Sequence, residues 1–147
     1  MRVAVFGDVH ANGWHACEVT VDPDDGTVRL ERHAIVADVG RAINPLIVHG
    51  QMHGGAAQGV GQALMEHVVF EAESGQPVAA SFMDYAIPRA DDLPLLAVEL
   101  NEVAEPDNPL GVKGAGENAT TGAPAAVMNA LRDALQSAGA DGVDMPA

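Results

Sequence analysis

The 147-residue chain predicts an α+β fold of mixed strands with two main helices. Three patterns say so. Two loosely alternating runs flank a turn signal, Pro23-Asp24-Asp25-Gly26, as in a β-hairpin. A regular apolar stripe of helical period runs through 121–138. A second helical pattern, interrupted by glycines, covers 48–70.

Taken in order, a short apolar run, Val3-Ala4-Val5-Phe6, leads into Gly7-Asp8-Val9-His10. An aspartate and a histidine at a strand end suit a divalent metal that activates water. This opening resembles that of metallophosphoesterases. A two-metal site needs further ligand blocks downstream, and His49 and His53 have no acidic partner at matching spacing. The hairpin follows over 15–38, with Val19, Val21, Val28, Leu30 and Ile35 expected inside and the acidic turn, Arg29, Glu31 and Arg32 outside. Asn44-Pro45 then starts a turn.

In the helix over 48–70, Met52, Ala56, Val60, Ala63, Leu64 and Val68 keep the core-facing period. Gln51, Gly55, Gln58 and Gln62 share another face, where amides flank a glycine gap. A solvated face with glycines for tight helix packing explains that face as well as a ligand does. Residues 71–94 are rich in turn formers, and Arg89 suits either an anion or a surface ion pair with Asp91 or Asp92. A strand is expected over 95–103, with Leu96, Val98 and Leu100 on one side. The helix over 121–138 has Thr120 or Thr121 as its cap, Pro124 in the first turn and Gly139 as its stop. No repeat or linker divides the chain.

A net charge of −14 disfavours nucleic acid and anionic membrane surfaces as partners. No apolar run reaches the ~20 residues of a membrane span. The start is too short for a signal-peptide core, and Cys17 is the only cysteine, so the expected compartment is the reducing cytoplasm. Cys17 has no neighbouring catalytic motif.

The stretch with most chemical content is Gly111-Val112-Lys113-Gly114-Ala115-Gly116-Glu117. Glycines admit close backbone approach to a ligand, and a helix start behind them gathers unpaired N–H groups. A glutamate held there suits a general base, although spacing alone favours a solvated loop residue.

Three blocks occur in one order: Gly50-Gln51-Met52-His53-Gly54-Gly55-Ala56-Ala57-Gln58-Gly59, then Ser81-Phe82-Met83-Asp84-Tyr85-Ala86-Ile87-Pro88, then Lys113-Gly114-Ala115-Gly116-Glu117. Together they resemble the C-terminal end of the molybdenum-binding subunit of the xanthine oxidase, aldehyde oxidoreductase and aerobic carbon monoxide dehydrogenase family. The resemblance covers about residues 13–147 and leaves 1–12 as an atypical start. It implies part of a molybdopterin-binding domain, with molybdenum held by the pterin and no protein metal ligand. Glu117 would be the catalytic base. Gln51 and, less directly, Gln58 would hydrogen-bond the pterin, Gly54 and Gly55 would leave room for it, and Gly114, Ala115 and Gly116 would lie against it.

Relatives often use a cytosine dinucleotide form of the cofactor. They work with FAD and iron–sulfur subunits on a small-molecule substrate: an aldehyde, an N-heterocycle or carbon monoxide. Their subunit is several times longer, so the upstream part is an implied partner and the chain alone is expected to be inactive. Ala119 stands where relatives often have glycine, which is expected to tighten the turn after Glu117. A non-catalytic binding or assembly module that keeps the fold is the competing reading.

Overall fold

The computed structural model describes residues 10–140 and 142–145. Strands β1 (Asn12–Val21) and β2 (Val28–Asp38) pair antiparallel across the predicted turn. Helix α1 (Pro45–Leu64) follows. The short strand β3 (Ala97–Leu100) then adds to β2 in parallel, giving the order β1-β2-β3. Helix α2 (Asn118–Ser137) closes the fold by packing on α1 and β1.

Both hairpin strands alternate, but they do not keep the same phase. The register slips between Glu18 and Val19, so that Glu18 faces Arg32 while Val19 faces Leu30. Glu31 is the extra residue of a bulge. Before it Leu30 points inward; after it His33, Ile35 and Ala37 do. This shift is why the alternation in the sequence is loose. Of the five residues expected inside, Leu30 and Ile35 are buried, while Val19, Val21 and Val28 are half-buried.

Helix α1 begins and ends earlier than its periodicity suggests. Asn44 caps it, with Oδ1 accepting from the Ile47 N–H at 3.4 Å, and Pro45 occupies the first turn. At the far end the N–H groups of both Met65 and Glu66 donate to the Gly61 carbonyl. The loop after the helix folds back there. Pro88 lies against Gly61, and the Tyr85 hydroxyl donates to Glu66 Oε2 at 2.7 Å. Val68 is therefore exposed and outside the helix. Met52, Ala56, Val60 and Ala63 are buried as expected.

Helix α2 starts at Asn118 and not at a threonine cap. The Thr121 hydroxyl donates to the Glu117 carbonyl, and the Thr120 hydroxyl donates to Gln58 Oε1. Pro124 sits inside the helix, so the Thr120 carbonyl one turn back lacks its usual donor. Gly59 of α1 packs at this spot. A Cβ there would lie 2.7 Å from Ala123 Cβ and 2.8 Å from Pro124 Cδ. Gly59→Val should therefore destabilise the chain by about 2–3 kcal/mol, by overpacking a rigid helix contact. Urea unfolding of the two proteins measures this. Gly139 ends α2 at φ +80°, with the Ala140 N–H returning to the Leu135 carbonyl.

One apolar cluster unites Ile35, Val39, Met52, Leu96 and Ala119, and a second unites Leu30, Val60, Ala63 and Val127. The opposite face of the sheet carries Trp14, 80 % exposed, across from Val36. No helix among the described residues is long and apolar enough to cross a membrane.

Candidate active site

The end of β2 anchors the glycine-rich stretch. Just past β2, Gly40 bridges Val112, the Arg41 N–H donates to the Gly111 carbonyl at 2.8 Å, and the Lys113 N–H donates to the Val39 carbonyl at 2.8 Å. Gly40 has φ +64° and sits so close that a Cβ would lie 2.9 Å from the Lys113 nitrogen. No other residue type fits this crossing. The Lys113 ammonium reaches Asp38 Oδ2 at 2.5 Å, and the two side chains are 7 % and 13 % exposed. Asp38 Oδ1 also accepts the N–H groups of Gly40 and Val103, at 2.9 and 3.2 Å. Burial pushes the Asp38 carboxyl up. The hydrogen bonds from Lys113, Gly40 and Val103, with the charge of Lys113, outweigh it and hold the group below the usual carboxylate range.

Beyond this anchor the chain runs through Gly114, Ala115 and Gly116 to Glu117. Cβ atoms added to Gly114 or Gly116 would meet nothing within 4 Å. These glycines are not needed for packing within the chain. Glu117 occupies the N-cap position of α2, yet its side chain makes no capping bond and is exposed. Ser, Thr, Asp or Asn at this position normally spends its side-chain oxygen on the first N–H groups of the helix; the longer Glu117 does not. Glu117 bonds no partner through its carboxylate among the described residues. It lines an open cavity of about 540 Å³ together with Gly114, Gly116, Asn118 and His15.

Of the residues expected on α1, Gln58 is brought to the start of α2. The bond from Thr120 to Gln58, 3.2 Å long, ties α1 to the first turn of α2, three residues past Glu117. Gln51, Gly54 and Gln58 are exposed, and a Cβ on Gly54 would meet nothing. Gly55 departs from expectation. It is buried, and its missing side chain makes room for α2, since a Cβ would lie 3.0 Å from the Thr120 nitrogen and 3.1 Å from Ala119 Cβ. Ala119 is fully buried in the core, so its methyl group serves packing behind the site.

The donor set suits a flat heterocycle with many hydrogen-bonding edges. Two exposed amides, three glycines open to close approach and one uncommitted carboxylate face outward, while a buried ion pair fixes the loop that carries them. No cluster of three or more His, Cys, Asp or Glu among the described residues could hold a metal ion. Asp8, of the metallophosphoesterase-like opening, lies outside the described residues, and His10 is exposed. Cys17 is half-buried and its thiol is pushed up by burial, which opposes thiolate chemistry.

Asp38 with Lys113, and His15 with His33, are side-chain pairs that escape sequence reading. The histidine rings meet edge to face, with His15 Nδ1 3.0 Å from His33 Nε2. Their inward strand phase was the available signal, hidden in β2 by the bulge.

Residues 5–94 match the family described as molybdopterin cofactor-binding domain. The chain is 44 % identical over 127 residues to the 6-hydroxypseudooxynicotine dehydrogenase complex subunit gamma of Paenarthrobacter nicotinovorans, covering 86 % of this chain and 15 % of that protein. It is 40 % identical over 137 residues to the nicotine 6-hydroxylase large subunit of the same organism, covering 93 % and 17 %. The crystal structure of quinoline 2-oxidoreductase from Pseudomonas putida 86 superposes with a TM-score of 0.87 at 41 % identity, over 92 % of this chain and 17 % of that one. The chain thus spans about a sixth of the length of these relatives.

Proposed function

The chain belongs to the molybdopterin cofactor-binding domain family, and from that premise we propose that it forms one wall of the molybdenum–pterin site of a molybdenum hydroxylase large subunit, with Glu117 as the general base. The observation that carries this reading is the uncapped Glu117 carboxylate on a cavity beside two glycines, Gly114 and Gly116, that face open space.

When bound, the molybdenum cofactor supplies the two-electron redox centre. The chain's own residues do the rest. Gln51 and Gln58 hydrogen-bond the pterin through their amides. Gly54, Gly114, Ala115 and Gly116 let backbone approach it. Gly55 lets α1 pack closely on the first turn of α2. Glu117 takes the proton from the water-derived oxygen that is delivered to the substrate carbon, a role worth about 10²–10⁴ in rate when geometry is right. The substrate is a small molecule with an electrophilic carbon: an aldehyde, an N-heterocycle or carbon monoxide.

Residues 13–147 are the pterin-binding portion, and the cofactor is the cytosine dinucleotide form. The rest of the large subunit, with FAD and iron–sulfur subunits, supplies the other walls and the electron path. The chain by itself is inactive, because a preorganised site needs those walls. The single cysteine fits a reducing, cytoplasmic setting.

The test is molybdenum and pterin analysis of the protein purified from its native host with its partner subunits. Cofactor at near one per large subunit is expected. Cofactor-free protein in the presence of those partners would sink the proposal and leave the competing reading, a binding or assembly module. A second check uses Gly116→Val. Its side chain enters open space, so the melting temperature of the chain should stay within about 2 °C. Pterin content of the assembled enzyme should fall several-fold.

A further inference from the structure

His15 and His33 lie between the hairpin and the first turns of α2. His33 is 1 % exposed. His15 packs directly beneath Gly122, where a Cβ would lie 2.7 Å from the His15 Nε2 atom. Beside it, the Asn118 side-chain amide donates to the Asn12 carbonyl at 3.3 Å. The start of α2 is therefore held to β1 by one hydrogen bond and by a histidine ring lying flush under a glycine.

Each ring has one nitrogen in the shared contact. The other two, His15 Nε2 and His33 Nδ1, are buried and have no partner among the described residues. A neutral pair tolerates this as one unsatisfied lone pair and one unsatisfied N–H, or less. On His33, 1 % exposed, a proton from solvent adds a charge and a donor with no acceptor bonded to it among the described residues, and such burial is costly. Around His15, Asn118 Oδ1 is a buried acceptor without a partner among the described residues, and Glu117 lines the same open cavity without bonding the ring, so the cost of a proton falls on His33. On β1 the adjacent inward group is Cys17, half-buried. On β2 the inward neighbours Leu30 and Ile35 are apolar, and Glu31 and Arg32 are exposed. On α2 the stretch 118–131 contains no ionisable residue; Glu117 precedes it and Arg132 follows. No carboxylate among the described residues bonds either ring.

We infer that His15 and His33 form a clasp that seats the start of α2 on the hairpin only while His33 is neutral, so that acid releases the turn carrying Glu117. Burial, with the charge of His15 adding to it, pushes His33 down to about 4, and burial lowers His15 too. A histidine whose folded value lies below its unfolded 6.5 stabilises the closed state fully above that value. The contribution fades as pH falls from 6.5 towards 4. The inference rests on the proposed function only in naming Glu117 as the group displaced.

Amide hydrogen exchange on the full chain, without cofactor, tests it. Corrected for intrinsic rates, protection at Gly122 and Ala123 should fall about thirtyfold between pH 7.5 and 5, the ratio set by values of 6.5 and about 4. Leu131 and Ala134, further along α2, should change less than about threefold. In His33→Phe the fall at Gly122 should shrink to about threefold or less. An equal fall along the whole helix would mean global unfolding and overturn the clasp. So would no fall at Gly122, or an unchanged fall in His33→Phe. If that variant does not fold, the wild-type comparison of Gly122 with Leu131 and Ala134 along α2 decides the matter alone. Because no cofactor is present, the result is independent of whether the pterin reading holds.

Discussion

Glu117→Gln, placed in the assembled molybdenum enzyme, should lower kcat by about 10²–10⁴-fold while molybdenum and pterin content stay at the wild-type level. The substitution preserves shape and removes the proton-accepting charge. Its structural cost should be small, within about 0.5 kcal/mol, because the side chain is exposed and caps nothing. That separation makes the result informative. A variant that loses cofactor along with activity would assign Glu117 to cofactor holding. A variant with full cofactor and full activity would remove it from the chemistry. Turnover per molybdenum, measured beside metal and pterin content, distinguishes the three outcomes.

The second large effect lies in the anchor behind the site. Lys113→Met leaves the Asp38 carboxylate without its cation, and Asp38→Asn leaves the Lys113 ammonium in the same position. Removing one partner of a buried pair is more damaging than removing both. Each single change should cost about 2–3 kcal/mol. This is below the full cost of a buried pair, because Asp38 keeps two backbone donors and both groups retain some water contact. At the usual ~2–4 °C per kcal/mol for a chain of this size, the melting point should fall by roughly 4–12 °C. The double variant Asp38→Asn/Lys113→Met should recover part of the loss, and additive losses would argue against a direct coupling.

The pH dependence has a fixed sign. The Asp38 carboxyl is held below its unfolded value. Its contribution is therefore present above about pH 4 and lost as pH falls through the lower folded value. The Lys113→Met variant should show a smaller acid-side decline, because the Gly40 and Val103 N–H groups still bond the carboxylate. Melting temperatures of both proteins across pH 2–6 check it.

Much of the fold was legible because its signals are local. Pro23 to Gly26 marks the hairpin turn, and Val127 with Leu131 marks the buried stripe of α2. The α1 start was also written in the sequence, as an Asn44 cap followed by Pro45, although the apolar period alone points three residues later. Its end was not legible. Pro88 and Tyr85 decide where α1 stops, and they lie more than 18 residues downstream. The same holds for the threonines: Thr120 is drawn to Gln58 of the other helix, 62 residues away, and cannot cap its own. At the site, Gly55 and Gly54 look alike in sequence, yet one packs a helix and the other opens outward. Only the neighbour across the gap tells them apart. Asp38 and Lys113, 75 residues apart, leave no local trace at all.

The long stretch between α1 and β3 has a consequence for how the site is held together. Residues 65–96 contain turns and one isolated bridge but no helix or strand. The amides of α1 lie before this stretch; Lys113, the glycines and Glu117 lie after it. What joins the two sets is the packing of α1 on α2 and the pairing of β2 with β3, not the covalent connection. The connecting segment is tied to the fold at Tyr85 and Pro88, against the end of α1, and at Leu96, in the core; the turns between these points hold no group of the site.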